Sequence, residues 1–230
     1  MRRTWLRKKF SKAKEIVTDR IRVFWAPIRR KSLRVTDFSI ISNNCWGGKV
    51  YLRYGLPYMS PTVGLYFFAE DYIRFIKNLK YYMSLPITVI PPEESAYYEI
   101  LKKRGQLNCP IGKLDDVEIV FLHYHSSQEA VEKWERRKKR INWEKLIVKF
   151  SEMNCCEPQH LNEFAQIDFE TKFAFVATDN LSKDDTFICL DKYRMVREVK
   201  DDTTHFASYI NINKLLNENK VLQEKTPFLK

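Results

Sequence analysis

Short apolar runs of strand length, each followed by a stretch with helical period, alternate along residues 35–230 and restrict the fold more than any other feature. Phe38–Ile41, Ile87–Ile90, Val117–His125, Leu146–Phe150, Phe173–Ala177 and Phe187–Leu190 read as strands. Helical stretches fall at 50–54, 69–84, 126–141, 158–165 and 207–216. Over 69–84, Tyr72, Phe75, Ile76, Leu79 and Met83 recur at helical steps, with Arg74, Lys77 and Lys80 on the other side. Parallel strands need crossover connections, and the helices in those connections cover both faces of the sheet. The expected fold is therefore α/β, a three-layer α/β/α arrangement with a mostly parallel sheet that leaves room for mixed pairing. Val117–His125 reads as its buried central strand, and 91–113, bounded by Pro91-Pro92 and Pro110-Ile111-Gly112, as irregular. No repeat or second core is evident, so 35–230 reads as one domain and 1–34 as an appendage.

That appendage carries the charge. Residues 1–34 hold thirteen Lys or Arg against Glu15 and Asp19, a balance of +11 that equals the net charge of the whole chain. Leu6, Phe10, Ala13, Val17, Ile21, Phe24 and Ile28 line one helical face, widened by Trp5, Ile16 and Trp25. Pro27 marks the expected end or kink of the helix. An apolar stripe flanked by basic residues suits an anionic leaflet, with Arg3, Trp5, Arg7, Phe10, Lys14 and Trp25 as membrane-binding residues. The same stripe could instead pack on the protein's own domain or on a second subunit. Nucleic acid is disfavoured, because the aromatics follow the apolar period of the helix and are not interleaved with the charges.

Five cysteines, odd in number and without CxxC spacing, indicate reduced thiols in a cytosol and give no sign of a disulfide framework or a structural zinc. No apolar run reaches the length of a membrane span, and no leader with a cleavage site is evident. The expected place of work is the cytoplasm, at the inner face of the plasma membrane.

Several residues could carry chemistry. Ser42-Asn43-Asn44-Cys45-Trp46-Gly47-Gly48 reads as a turn between a strand and a helix, whose backbone N–H groups would face a ligand at the carboxyl edge of the sheet. Cys45 opens the helix, where partial positive charge favours a thiolate nucleophile; a buried inert thiol is the alternative. Asn43 and Asn44 could hydrogen-bond a polar ligand or serve the turn alone. His123 and His125, two apart on a strand, could supply a general base, or one a core and the other a surface residue. Ser60-Pro61-Thr62 offers hydroxyls in a loop that could face the same edge. Arg137 and Arg140 could grip phosphate, or belong to the solvated face of a helix whose core side is Ala130, Trp134 and Ile141. No ligand spacing for a metal is present, and the cofactor is left unassigned.

FSIISNNCWGG at 38–48, YGLPYMSPTVGLYFFAEDYIRFIKNLKYY at 54–82 and LDDVEIVFLHYHSSQEAVEKWERRKKRINW at 114–143 together resemble the bacterial family of exopolysaccharide biosynthesis proteins, whose shared domain has no established function. The resemblance covers roughly residues 36–180. It implies an α/β/α fold and an association with surface-polysaccharide or capsule synthesis. The matching positions are Asn43, Asn44, Cys45, Trp46, Gly47, Ser60, Pro61, Thr62, His123, Tyr124, Trp134, Arg137, Arg140, Asn142 and Trp143. They add Trp46, Gly47, Thr62 and Tyr124 to the candidate ligand-binding residues. His125 stands where lysine is commoner in the family, which weakens a two-histidine metal site.

The function expected is a glycosyl or acyl transferase acting on a nucleotide-activated or lipid-linked saccharide. Its site would lie between the 42–48 turn, the 58–64 loop and the end of the 117–125 run, with Asn43, Asn44 and Ser60 orienting the sugar, His123 as base, and Ser60 and Cys45 counted with His123 as catalytic residues. A non-catalytic glycan- or partner-binding module of a polysaccharide assembly complex, and a nucleic-acid-binding regulator, are the competing readings.

Overall fold

Strands buried on both faces need an apolar side chain at nearly every position, and the two faces of the main sheet meet that demand through separate cores. A computed structural model describes residues 20, 23–177 and 186–223. In it β1 (Ser39–Ser42), β5 (Leu146–Ser151), β6 (Thr171–Val176) and β7 (Phe187–Cys189) form a four-stranded parallel sheet in that order. Ile40 lies opposite Ile147, Val148 opposite Lys172 and Phe175 opposite Ile188. Ile40, Ile147, Phe173, Phe175 and Ile188 share a core with helices α1 (Trp46–Tyr54) and α7 (Ile212–Glu218). Ile41, Val148, Phe150, Ala174 and Val176 belong to the core on the other side, with α2 (Ala69–Lys77), α3 (Leu79–Ser84), α5 (Ser127–Lys138) and α6 (Pro158–Gln166). The α/β/α layering expected from the alternating runs is present.

A second, antiparallel sheet joins β2 (Thr88–Ile90), β3 (Ile111–Leu114) and β4 (Val117–Val120), in that order. This corrects the reading of 117–125 as a central parallel strand. Val117, Ile119 and Phe121 enter the same core as α2, while Val120 packs with Tyr66, Phe68 and Leu101 of α4 (Tyr98–Arg104). Burial on both faces gives the run the same apolar content in either sheet, so its pairing direction is not written in its composition. The stretch 91–113 is not irregular, since it contains a short 3-10 turn at Pro92–Glu94, α4 and β3. The helix expected over 69–84 breaks at Asn78, whose φ of −126° and ψ of 42° leave the helical region. The expected helix at 207–216 is a 3-10 turn followed by α7, which starts only at Ile212, with the Asn211 side chain accepting from the Lys214 N–H.

β1 is an edge strand, and side chains cover its open side. The Ile40 N–H donates to Tyr51 Oη at 3.0 Å and the Ser42 N–H to Thr62 Oγ1 at 3.2 Å. Thr62 Oγ1 donates to Ile40 O, and Ser39 Oγ to Met59 O. These bonds replace a missing neighbouring strand and block edge-to-edge pairing.

The amino-terminal calls fall mostly outside the described residues: Arg3, Trp5, Arg7, Phe10 and Lys14 are not among them. Residues 23–30 are helical, so Pro27 does not end the helix. Ala26 is buried and a Cβ added at Gly55 would lie 3.2 Å from it, whereas Val23, Phe24, Trp25 and Ile28 are exposed. Among the described residues no helix is long and apolar enough to cross a membrane.

Candidate functional site

The connection leaving β1 enters α1 on one face of the parallel sheet, and the connection leaving β5 enters α6 on the other. Loops that part in this way open a crevice at the carboxyl ends of the two strands, the usual ligand position in open α/β sheets. At this edge Asn43, Asn44 and Cys45 follow β1, and Ser151, Glu152 and Met153 stand at the end of β5. Two successive residues of the β5 loop, Asn154 and Cys155, take positive φ values of 56° and 63°. The left-handed form costs a side chain such as that of Cys155 about 1–2 kcal/mol. Such strain tends to persist where the surroundings fix the backbone for function.

A buried polar cluster lies at the carboxyl ends of these strands. Lys149, Ser151 and Asp202 are each fully inaccessible to solvent. The Lys149 ammonium donates to Asp202 Oδ2, to Ser151 Oγ and, at 3.2 Å, to Asn44 Oδ1. Ser151 Oγ donates to the same Asp202 oxygen, and Asn44 Nδ2 reaches Asp202 Oδ1 at 2.9 Å. Burial pulls the Lys149 pKa down, and the Asp202 carboxylate opposes that shift. Asn43 is also fully buried: its Nδ2 donates to Ser151 O at 3.0 Å, while its Oδ1 has no hydrogen-bond partner. A buried acceptor left unpaired costs about 1–3 kcal/mol and marks where a bound donor would be stabilised.

The glycine-rich turn behaves differently from its sequence reading. Its leading N–H groups are not held open for a ligand: Trp46 N–H donates to Asn44 Oδ1 at 3.1 Å and Gly47 N–H to Ser42 Oγ at 3.4 Å. The glycines serve close packing, since an added Cβ would lie 3.0 Å from Ile40 Cγ2 at Gly47 and 2.9 Å from Val63 Cγ1 at Gly48. Trp46 is a core residue packed edge-on against Phe173, Phe175 and Phe206.

Ser60 and Thr62 are fully buried, and their hydroxyls lie 3.0 Å apart within the cover over β1. Tyr124 Oη donates to Val63 O at 2.6 Å and accepts from Arg137 at 2.7 Å. Arg137 is buried with its guanidinium 4.8 Å from the Tyr58 ring centroid, and Arg140 donates to Tyr58 O at 3.3 Å. Both arginines thus fasten the 58–64 loop to α5. His123 and His125 lie beyond the end of β4, both exposed, and do not project from one strand face as the sequence suggested. The His125 N–H donates to Glu129 at the start of α5.

The structure brings the three polar segments together around Gly64 and Leu65. Cys45, half-buried at the amino end of α1, has its Sγ 3.6 Å from Leu65 O. The His123 N–H donates to Gly64 O at 3.0 Å. Cys45 is also within electrostatic range of both Lys149 and Tyr124. A profile for a domain of unknown function, DUF1919, matches residues 16–223. The chain belongs to the DUF1919 family. An uncharacterized protein of Haemophilus influenzae is 32% identical over 166 residues, covering 72% of this chain and 74% of the relative. The DUF1919 match thus spans the whole crevice, from the 42–48 turn to Asp202.

Lys149, Ser151, Glu152 and Asp202 were missed in the sequence. Lys149 carried a signal, a lone cation inside an apolar strand of a sheet covered on both sides; such a lysine is rarely buried unless paired. Asp202 carried none, because its role depends on a loop returning over the sheet.

Glu152 ties that loop down: its backbone oxygen accepts from the Val199 N–H at 2.8 Å, and its carboxylate accepts from the Ala177 N–H at 2.5 Å. Nearby, burial pushes the Cys156 thiol well above its ordinary pKa, with Glu152, Glu157 and Glu198 adding to the shift. Among the described residues no group of three or more His, Cys, Asp or Glu side chains could hold a metal ion.

Proposed function

We propose that the chain is a saccharide-modifying transferase of bacterial surface-polysaccharide assembly, that its reaction is acyl transfer, and that Cys45 is its nucleophile and His123 its general base. The observation that supports this reading is that Cys45 Sγ, half-buried, lies 3.6 Å from Leu65 O while the backbone N–H of His123, an exposed residue, donates to the adjacent Gly64 O, so both residues stand beside the same two-residue segment. Cys45 stands at the amino end of α1, where the partial positive charge of a helix favours an anion. The saccharide class rests on the resemblance of residues 38–48, 54–82 and 114–143, the three segments in which Cys45, Leu65 and His123 stand.

In the first half-reaction His123 takes the Cys45 proton, and the thiolate attacks the carbonyl of an acyl thioester donor. The donor thiol leaves with the proton from His123, and the acyl group stays on sulfur. In the second, a saccharide hydroxyl gives its proton to His123 and attacks the acyl-enzyme. The ester departs and the Cys45 thiol is restored. Acyl transfer is the reading taken because a half-buried thiol stands at the amino end of α1, and a thiol is a nucleophile suited to a thioester donor.

The reading is tested by melting the full chain with acyl-coenzyme A thioesters, nucleotide sugars and free nucleotides. A donor at about 100 times its dissociation constant adds ~2.7 kcal/mol of stability. A rise in melting temperature with acyl-coenzyme A alone is the expected result; a rise with nucleotide sugars alone replaces acyl by glycosyl transfer.

A further inference from the structure

At the opposite, amino-terminal edge of the parallel sheet lies an open cleft of about 860 Å³. It is bounded by the α2–α3 junction, by Trp143 and Glu144 ahead of β5, and by residues 166–170 between α6 and β6. Its volume is within the range of ligand pockets, about 300–1,000 Å³. Two large rings on its wall are accessible, Trp143 at 41% and Tyr81 at 49%. Tyr81 Oη donates to Asp115 at 2.9 Å, which fixes that ring, and the Lys80 ammonium lies 5.9 Å from the Trp143 ring centroid.

The remaining lining is polar and mildly acidic. Asn78 and Gln166 offer amides that both donate and accept. Lys77 is paired with Glu163 at 2.6 Å, which leaves Lys80 against Glu144, Asp168 and Glu170 among the charged residues of the described lining. That balance repels phosphates, nucleotides and polyanions. A sugar ring presents an apolar C–H face beside hydroxyls that both donate and accept, and accessible aromatic faces among amides and carboxylates match both parts.

We propose that this cleft binds a neutral saccharide chain, stacked on Trp143, and that it holds the acceptor glycan at a distance from its reacting end. The inference rests on the saccharide reading of the carboxyl edge and extends it to the acceptor. Leu146 lines the cleft and Ser151 stands at the crevice, at opposite ends of β5. Five strand steps separate them by about 17 Å. That line runs through the buried sheet, so a glycan serving both sites passes over the covering helices and is longer than ~17 Å, which a single sugar is not.

The test is calorimetric titration of the full chain with maltohexaose, cellohexaose and chitohexaose, each beside its monosaccharide, and with an oligogalacturonate as the acidic control. At least one neutral hexasaccharide binds, its monosaccharide does not, and the acidic chain does not. Trp143→Ala weakens that binding about tenfold, Trp143→Phe retains most of it, and both keep the wild-type melting temperature. Equal binding by Trp143→Ala, or a preference for the acidic chain, overturns the assignment. If no neutral chain binds while an acyl donor still modifies Cys45, the cleft assignment fails and the transferase reading stands. If a chain binds at Trp143 while no donor acts at Cys45, the reverse holds.

Discussion

Lys149 sits on the middle of β5 with no exposed surface, and its charge is tolerable only because Asp202, Ser151 and Asn44 surround it. Breaking such a pair leaves an uncompensated ion, at a cost of about 3–5 kcal/mol. Asp202→Ala is therefore expected to lower stability by about that amount in urea unfolding, and Lys149→Met/Asp202→Leu to recover part of it. A loss under about 1 kcal/mol for the single variant would show that the ammonium is neutral or solvated. At this scale the sequence was partly legible. Asn43, Asn44, Cys45 and His123 stood out by type and spacing, and all lie at or near the carboxyl edge. Ser60 and Thr62 looked like reactive hydroxyls because sequence spacing does not say whether a hydroxyl faces a ligand or a strand.

The same hydroxyls matter at the scale of elements. Thr62 Oγ1 receives one N–H and supplies one hydrogen to the open side of β1, so Thr62→Val keeps the shape and leaves two backbone groups unpaired. The expected loss is about 1–3 kcal/mol, read from the urea midpoint at constant slope. No change in midpoint would mean that water serves that edge equally well. The strands and helices of the parallel layer were legible because apolar period and turn residues are local properties. The antiparallel sheet was not: apart from Glu118, Val117–Phe121 is apolar, and it is buried on both faces. The tight connection at Asp115, with φ of 55°, joins β3 to β4 as a hairpin just beyond the 91–113 stretch read as irregular.

Across the whole molecule, charge and chemistry separate. The net +11 resides in residues 1–34, and the described part of that segment presents Val23, Phe24, Trp25 and Ile28 to solvent beside Arg29, Arg30 and Lys31. Each basic residue near an anionic leaflet contributes about 1 kcal/mol, and the exposed rings add apolar area. The full chain is expected to co-sediment with phosphatidylglycerol vesicles and not with phosphatidylcholine vesicles. Phe24→Ser/Trp25→Ser is expected to weaken that binding; no binding by the full chain, or equal binding by the variant, would contradict a membrane contact at this face.

The central claim, acyl transfer through Cys45, is tested most directly by the mass of the intact chain after mixing with a panel of acyl-coenzyme A thioesters and quenching in acid. The account predicts one added acyl group that maps to Cys45, is absent from Cys45→Ser and forms slowly in His123→Ala. An unmodified Cys45 across the panel, or an acyl group that maps to another residue, would contradict it.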